Sequence, residues 1–230
     1  MEAIIYIAHG SRRNAANEKF ISFIKKVMDS KSKVQVYAFL EHAEPTISQA
    51  IGTCLEKGAK VITVVPVLLL PGIHAYEDIP NEFKGYPDIV FRYAEPLGVD
   101  EIMVEIVMDR LGAAGLEQKE DEVVLLIGHG SREPEASVEF EIFARCLAGN
   151  INVEVHTSYL TTPVFYHEMV EKLAGKRIYI LPYLLFFGGY MGKIEKEIRV
   201  YDKIIKLCDP VGFDEKLISL IQKRASEVRG

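Results

Sequence analysis

The sequence predicts an α/β protein of two homologous subdomains, each a parallel sheet flanked by helices. Three observations predict it. Short β-branched runs alternate with amphipathic segments along the chain, the pattern of strands joined by crossover helices. Ile7-Ala8-His9-Gly10-Ser11-Arg12 returns 120 residues later as Ile127-Gly128-His129-Gly130-Ser131-Arg132. Val64-Val65-Pro66-Val67-Leu68-Leu69-Leu70 returns 116 residues later as Ile180-Leu181-Pro182-Tyr183-Leu184-Leu185-Phe186. Two motif pairs in the same order at nearly equal spacing give two homologous halves, residues 1–115 and 116–230. They join near Gly112-Ala113-Ala114-Gly115 and the polar run after it.

In the first half, β-branched runs place strands at residues 3–8, 33–40, 60–69 and 88–94, with helices at 14–28, 45–56, 78–84 and 99–111. Phe20, Ile21, Phe23, Ile24 and Val27 recur at helical spacing and form a core stripe. Pro45 suits a first helical turn, Gly58 an exit, and Asp78 with Pro80 a helix start. The second half repeats the pattern, with strands at 122–127, 152–158, 177–181 and 203–207 and helices at 134–147, 163–173, 189–200 and 213–228. The expected architecture is two Rossmann-like subdomains with a cleft between them. Ligands in such sheets bind beyond the carboxyl ends of the strands.

Composition narrows the function. A folded chain of 230 residues hides roughly 70% of the surface that its unfolded form exposes, so a stable core needs no disulfides. Cys54, Cys146 and Cys208 are odd in number and widely spaced, which suits reduced thiols in a cytoplasm. The N-terminus lacks a basic leader, and the longest apolar run, 61–70, falls well short of the ~20 residues that span a bilayer. The expectation is a soluble, cytoplasmic protein without membrane partners. A net charge of −6 argues against a nucleic-acid surface. No Gly-x-Gly-x-x-Gly and no Gly-x-x-x-x-Gly-Lys-Ser/Thr follows a strand, which counts against a dinucleotide or a P-loop nucleotide.

Polar residues just past the predicted strands carry the chemistry. His9 follows the first strand, Glu41 the second and His74 the third, all on one rim of the sheet. Each alone reads better as a cap, a loop residue or a solvated side chain. Together, two imidazoles and a carboxylate can hold a borderline divalent metal such as iron, cobalt, nickel or zinc, and can accept protons. His42, His156 and His167 read as ordinary surface or turn residues. In the second half His129 matches His9. Counting back from Pro163 places Tyr159 at the Glu41 position, and counting on from Pro182 places Tyr190 at the His74 position. One copy of the ligand set is thus expected to be intact and the other degenerate.

His9-Gly10-Ser11-Arg12, then Phe39-Leu40-Glu41-x-x-x-Pro45-x-Ile47, then Pro66-Val67-Leu68-Leu69-Leu70-x-Gly72-x-His74-x-x-x-Asp78-Ile79-Pro80 resembles the sirohydrochlorin chelatases, small class II tetrapyrrole chelatases. The resemblance covers nearly the whole chain through the duplication. It implies a chelatase-like bilobal fold and ATP-independent insertion of Co²⁺, Fe²⁺ or Ni²⁺, the metal being substrate, with no tightly bound cofactor. It implies that His9 and His74 bind the entering metal, that one of them removes pyrrole protons, and that Glu41 assists. It assigns Glu44 and the loop Leu68-Leu69-Leu70-Pro71-Gly72-Ile73 to the macrocycle site. The second half would supply the other wall of the cleft, in a monomer with pseudo-twofold symmetry. Arg12 and Arg13 beside His9, with Arg132 and Lys193 in the second half, are candidates to pair with substrate carboxylates. Three other readings use the same cleft: a non-catalytic tetrapyrrole or metal carrier, a metal-independent small-molecule binding module, and a chelatase for a different ring.

Overall fold

Strands and helices alternate as the pattern requires. In order they are β1 (Glu2–Ala8), α1 (Asn14–Val27), β2 (Val34–Phe39), α2 (Ile47–Glu56), β3 (Val61–Pro66), a π-helical turn (His74–Asp78) running into α3 (Ile79–Glu82), and β4 (Val90–Tyr93). There follow α4 (Glu101–Ala113), β5 (Glu122–Gly128), α5 (Pro134–Ala148), β6 (Glu154–Tyr159), α6 (Tyr166–Lys172), β7 (Arg177–Pro182), α7 (Tyr190–Ile198), a 3₁₀ turn (Arg199–Tyr201), β8 (Ile205–Leu207) and α8 (Leu217–Ser226). The structure, a computed structural model, describes residues 1–28, 34–72, 74–131, 133–201 and 205–228, with the side chains of His74, Tyr76 and Tyr201 outside the description. Lys33 and residues 203–204, at the starts of two expected strands, lie outside the described residues.

Two four-stranded sheets form, ordered β2-β1-β3-β4 and β6-β5-β7-β8, with every pairing parallel. The registers repeat between the halves. Ala8 stands opposite Phe39 and Ile7 opposite Pro66, while Gly128 stands opposite Tyr159 and Ile127 opposite Pro182. In this strand order the connections reverse direction between β1 and β3, and between β5 and β7. Such switch points open crevices at the carboxyl ends of the strands.

Local chemistry moves several expected boundaries. The strand expected over 60–69 stops at Pro66. Beyond it the chain turns toward the loop after β4, where Leu97 and Gly98 donate to the Leu68 and Leu69 carbonyls at 2.9 and 3.0 Å. The helix expected from Pro45 begins at Ile47, because Thr46 and Gln49 close a capping box. Asp78 makes no side-chain cap; helical backbone already begins at His74. Asn17, Phe20, Phe23, Ile24 and Val27 form the buried stripe of α1, and Ile21 is only half-buried at its edge.

Packing divides the chain differently from the repeat. Met1–Gly98 and Phe213–Gly230 form one compact unit, and Val99–Gly212 forms the other. In the first unit, one sheet face buries Ile5, Ile7, Ile62 and Val64 against Ile47, Ile51, Ile79 and Phe83. Over the other face, α1 packs against α8, and Phe213 stacks on Phe23 with ring centroids 5.4 Å apart. In the second unit, Leu125, Ile127, Ile178 and Ile180 pack with Tyr166, Val170 and Ile194. Its α4 packs on α5 and β7. The last helix of each half therefore covers the sheet of the other half.

The same device secures both exchanged helices. Arg224 of α8 donates from Nε to Pro96 O at 3.0 Å and from Nη2 to Leu97 O at 2.8 Å. Arg110 of α4 donates to Pro210 O at 3.2 Å and Val211 O at 3.4 Å. A planar guanidinium suits this task, since its several donors can close two loop carbonyls at once. Among the described residues no helix is long and apolar enough to cross a membrane.

At the start of β5, Glu122 is 2% exposed. Its carboxylate accepts from Glu117 N and Lys119 N, both at 3.0 Å, and from Tyr179 Oη at 2.9 Å. Burial raises its pKa, but these hydrogen bonds and Arg177 outweigh burial and hold it below the usual carboxylate value. A depressed folded-state value gives stability that is full above the unfolded pKa and lost as pH falls through the folded one. Glu122→Gln is expected to cost about 1–3 kcal/mol at neutral pH. The gap to the unsubstituted protein should narrow as the pH drops through the carboxylate range, read as urea midpoints across a pH series.

Candidate active site

The rim at the carboxyl ends of β1, β2 and β3 is built by backbone pairing that continues past the strands. Leu40 N donates to Ala8 O and Glu41 N to His9 O, both at 2.9 Å. Val67 N donates to Ile7 O at 2.7 Å on the other side. His9 thus leaves β1 at the switch point, with Glu41 joined to it through the backbone.

Gly10 makes that junction possible. Its φ is +90°, and a Cβ placed there would lie 2.0 Å from the Glu41 carbonyl oxygen. Only glycine fits both the backbone conformation and the approach. The His9 ring turns Nδ1 to Gly10 O at 3.3 Å. A carbonyl only accepts, so this contact favours the tautomer that keeps its proton on Nδ1 and its lone pair on Nε2.

Glu41 and His42 are exposed neighbours, with His42 Nε2 3.2 Å from Glu41 Oε2. The His42 ring lies 6.4 Å from that of His9, centroid to centroid, on a residue with φ +62°. His42, expected to be an ordinary turn residue, is therefore part of this cluster. No periodicity signals it; only adjacency to Glu41 does. Asn17 was also missed. Buried in the first turns of α1, it accepts from Ser11 N at 2.9 Å and donates to Ser11 O at 2.7 Å, clamping the loop after His9. Its signal is a polar residue on an otherwise apolar helical stripe.

The remaining candidates are placed as follows. Arg12, Arg13 and Glu44 are exposed. Leu68, Leu69, Leu70 and Gly72 are half-buried and Pro71 is buried. Ile73 and Arg132 lie outside the described residues. His74 opens the π-helical turn after β3, anchored by buried Ile79 and Phe83. π-helical turns often mark functional positions. Lys193 is exposed, 4.0 Å from Glu197. His156 pairs with Glu154 at 3.3 Å, and His167 stacks on Phe165. Among the described residues no group of three or more His, Cys, Asp or Glu is arranged to hold a metal, a set that excludes the His74 side chain. A cleft lined by Tyr93, Ala94, Glu95, Arg224, Glu227 and Val228 lies at the end of β4 against α8 and includes none of the candidates.

The second half corrects one expectation. Thr161 N donates to His129 O at 3.1 Å and Leu160 N to Gly128 O at 3.0 Å, the bonds made by Glu41 and Leu40 in the first half. Thr161, not Tyr159, therefore stands at the Glu41 position. Tyr159 matches Phe39 and packs on Phe140. Counting from the proline fails by two residues: the second loop is one residue shorter, Phe39 bridging to Thr46 but Tyr159 to Phe165, and Val164 rather than Pro163 stands at the Pro45 position.

The CbiX family profile matches the chain twice, over residues 3–114 and 123–228. The chain belongs to the CbiX family. It is 37% identical to the sirohydrochlorin ferrochelatase of Priestia megaterium over 86% of this chain and 79% of that protein. It is 36% identical to the sirohydrochlorin cobaltochelatase of the same organism, over 99% of this chain and 80% of that one. The solved structure of SirB from Bacillus subtilis with Fe3+ matches with a TM-score of 0.90 at 34% identity, covering 98% of this chain and 94% of that chain. The two four-stranded α/β subdomains are thus those of a chelatase fold.

Gly58 offers a control for Gly10. Both have positive φ, yet a Cβ at Gly58 meets nothing within 4 Å. Gly58→Ala should cost about 1–2 kcal/mol from backbone conformation alone. Gly10→Ala should cost more and displace the Glu41 segment, read by thermal denaturation and by chemical shifts around Glu41.

Proposed function

We propose that this CbiX-family chain is a sirohydrochlorin chelatase that inserts a divalent metal into the ring, with His9, Glu41 and His74 as the residues that handle metal and protons. Both iron and cobalt enzymes stand among its relatives by name, so either ion is a reasonable substrate. One observation carries the residue assignment. In the second half the side chain of His129, which matches His9, meets that of Tyr190 in the first turn of the helix after β7, with His129 Nε2 3.1 Å from Tyr190 Oη. A repeat that brings the start of the helical segment after its third strand against this histidine in one copy supports the convergence of His9 and His74 in the other. The β1/β3 switch point, where ligands of such sheets bind, lies between the same two positions.

Insertion exchanges two pyrrole N–H protons for one M²⁺, so the site must strip water from the ion, hold it and remove two protons. With Nδ1 held by Gly10 O, His9 presents the lone pair of Nε2, which can take a metal or a proton. The Glu41 carboxylate, steadied by His42, offers a hard anionic ligand that helps neutralise the dication. The half-buried Leu68, Leu69 and Leu70 offer apolar surface to a flat ring, and the rest of the macrocycle site is assigned to Pro71, Gly72, Ile73 and the exposed Glu44, Ile73 lying outside the described residues. Exposed Arg12, three residues past His9, would pair with the peripheral carboxylates. The reaction needs no nucleotide, and the chain acts as a monomer.

The test is spectrophotometric. Protein, sirohydrochlorin and Co²⁺ or Fe²⁺ are mixed without oxygen and the visible bands of the metallated ring are followed. His9→Ala and His74→Ala should each lower the enzyme-dependent rate by at least about 100-fold, in the range expected for loss of a proton-transfer group. His129→Ala should keep most of it, and the rate should decline in acid as protons compete for the ligand nitrogens. Ring and metal binding without turnover, or equal loss on His129→Ala, would refute the assignment.

A further inference from the structure

The second unit keeps the frame of the candidate site and changes what stands on it. His129 leaves β5 as His9 leaves β1, and its Nδ1 lies 3.1 Å from Gly130 O, against 3.3 Å for His9 and Gly10. Gly130 has φ +96° where Gly10 has +90°. Thr161 takes the backbone position of Glu41. Tyr190 opens α7 in the segment that matches the π-helical turn opened by His74, although one residue out of step with it: Tyr190 N donates to Phe187 O at 2.9 Å as Ala75 N donates to Gly72 O at 3.0 Å, and buried Ile194 stands where Ile79 does.

The substituted side chains consume the coordinating groups. Thr161 brings no charge, and its hydroxyl donates to His129 O at 2.7 Å. The His129 ring, its Nδ1–H given to a carbonyl, has only an acceptor at Nε2, so the Tyr190 O–H donates to it across 3.1 Å. The two rings meet edge-on, with centroids 5.6 Å apart and planes at 82°. A metal arriving here would have to displace a formed hydrogen bond and would find no carboxylate beside it.

We infer that Tyr190 is a specificity-determining lock, whose hydroxyl occupies His129 Nε2 and, with Thr161 in place of a carboxylate, makes the second copy of the site refuse divalent metal. The inference rests on reading the first copy as the metal site. The frame beneath the lock is still that of a metal site, and Tyr190→His with Thr161→Glu reopens it.

The experiment is equilibrium dialysis against Co²⁺, with the cobalt absorption bands as a second readout. The unsubstituted protein should bind one ion per chain, and Thr161→Glu/Tyr190→His should bind two. In a His9→Ala/His74→Ala background, which removes the first site, the same pair should restore binding from none to one. If the unsubstituted protein binds none while the rebuilt background binds one, the assignment of His9 and His74 falls and the lock stands. A folded rebuilt variant with no added ion overturns the lock, as does an unsubstituted protein whose second ion is lost on His129→Ala. Tyr190→Phe removes a single oxygen atom and covers the case of a rebuilt variant that fails to fold. It should raise carbethoxylation of His129, followed by peptide mass spectrometry, about tenfold; an unchanged rate overturns the lock.

Discussion

The close approach of Gly10 to the Glu41 carbonyl is the constraint on which the site depends. Parallel pairing ordinarily ends with the strands, and the loops beyond diverge. Here the β1–β2 ladder continues for two more bonds, through Leu40 N and Glu41 N, and the absent side chain at residue 10 allows it. An imidazole and a carboxylate far apart in sequence are thereby brought to one rim by backbone geometry. The second unit continues its ladder the same way, through Leu160 N and Thr161 N, with Gly130 at the turn. That so much of the frame recurs where Glu41 is replaced by Thr161 shows that it is a folding solution in its own right.

The strands and the rim were legible in the sequence for a simple reason. Parallel strands covered on both faces are continuous apolar runs, so a polar residue just past such a run is placed at the rim by position alone. His9 and Glu41 leave their strands at that rim, and the backbone of His74 opens the helical turn after β3. What was not legible depended on loop length and on partners. Aligning Tyr159 with Glu41 fails by two residues, one from a shorter loop and one because Val164, not Pro163, stands where Pro45 does. The helical start at His74 was hidden because Asp78 and Pro80 look like a helix entrance. His42 was signalled only by adjacency to Glu41, because its place there follows from a left-handed backbone that a histidine only occasionally adopts.

The exchanged helices show a second limit of the same kind. The apolar positions of α4 and α8 say that one face of each is buried, but amphipathicity does not say against which sheet. The repeat suggests that each half keeps its own last helix. The packing and the paired guanidinium contacts of Arg110 and Arg224 place each on the other unit. Sequence periodicity fixes a helix's inward stripe, and connectivity fixes its neighbour.

This exchange bears on how the chain folds as it is made. The second unit is contiguous, so all of its parts exist once Val99–Gly212 has been synthesised. The first unit is interrupted, because the helix that packs with α1 is translated only after the whole of the second. Until then one face of the β2-β1-β3-β4 sheet lacks part of its cover, although α2 and α3 can already close the opposite face. Loops of that span close slowly, and partly covered sheets attract unwanted partners. The unit that carries His9 and Glu41 is thus begun first on the ribosome and completed last.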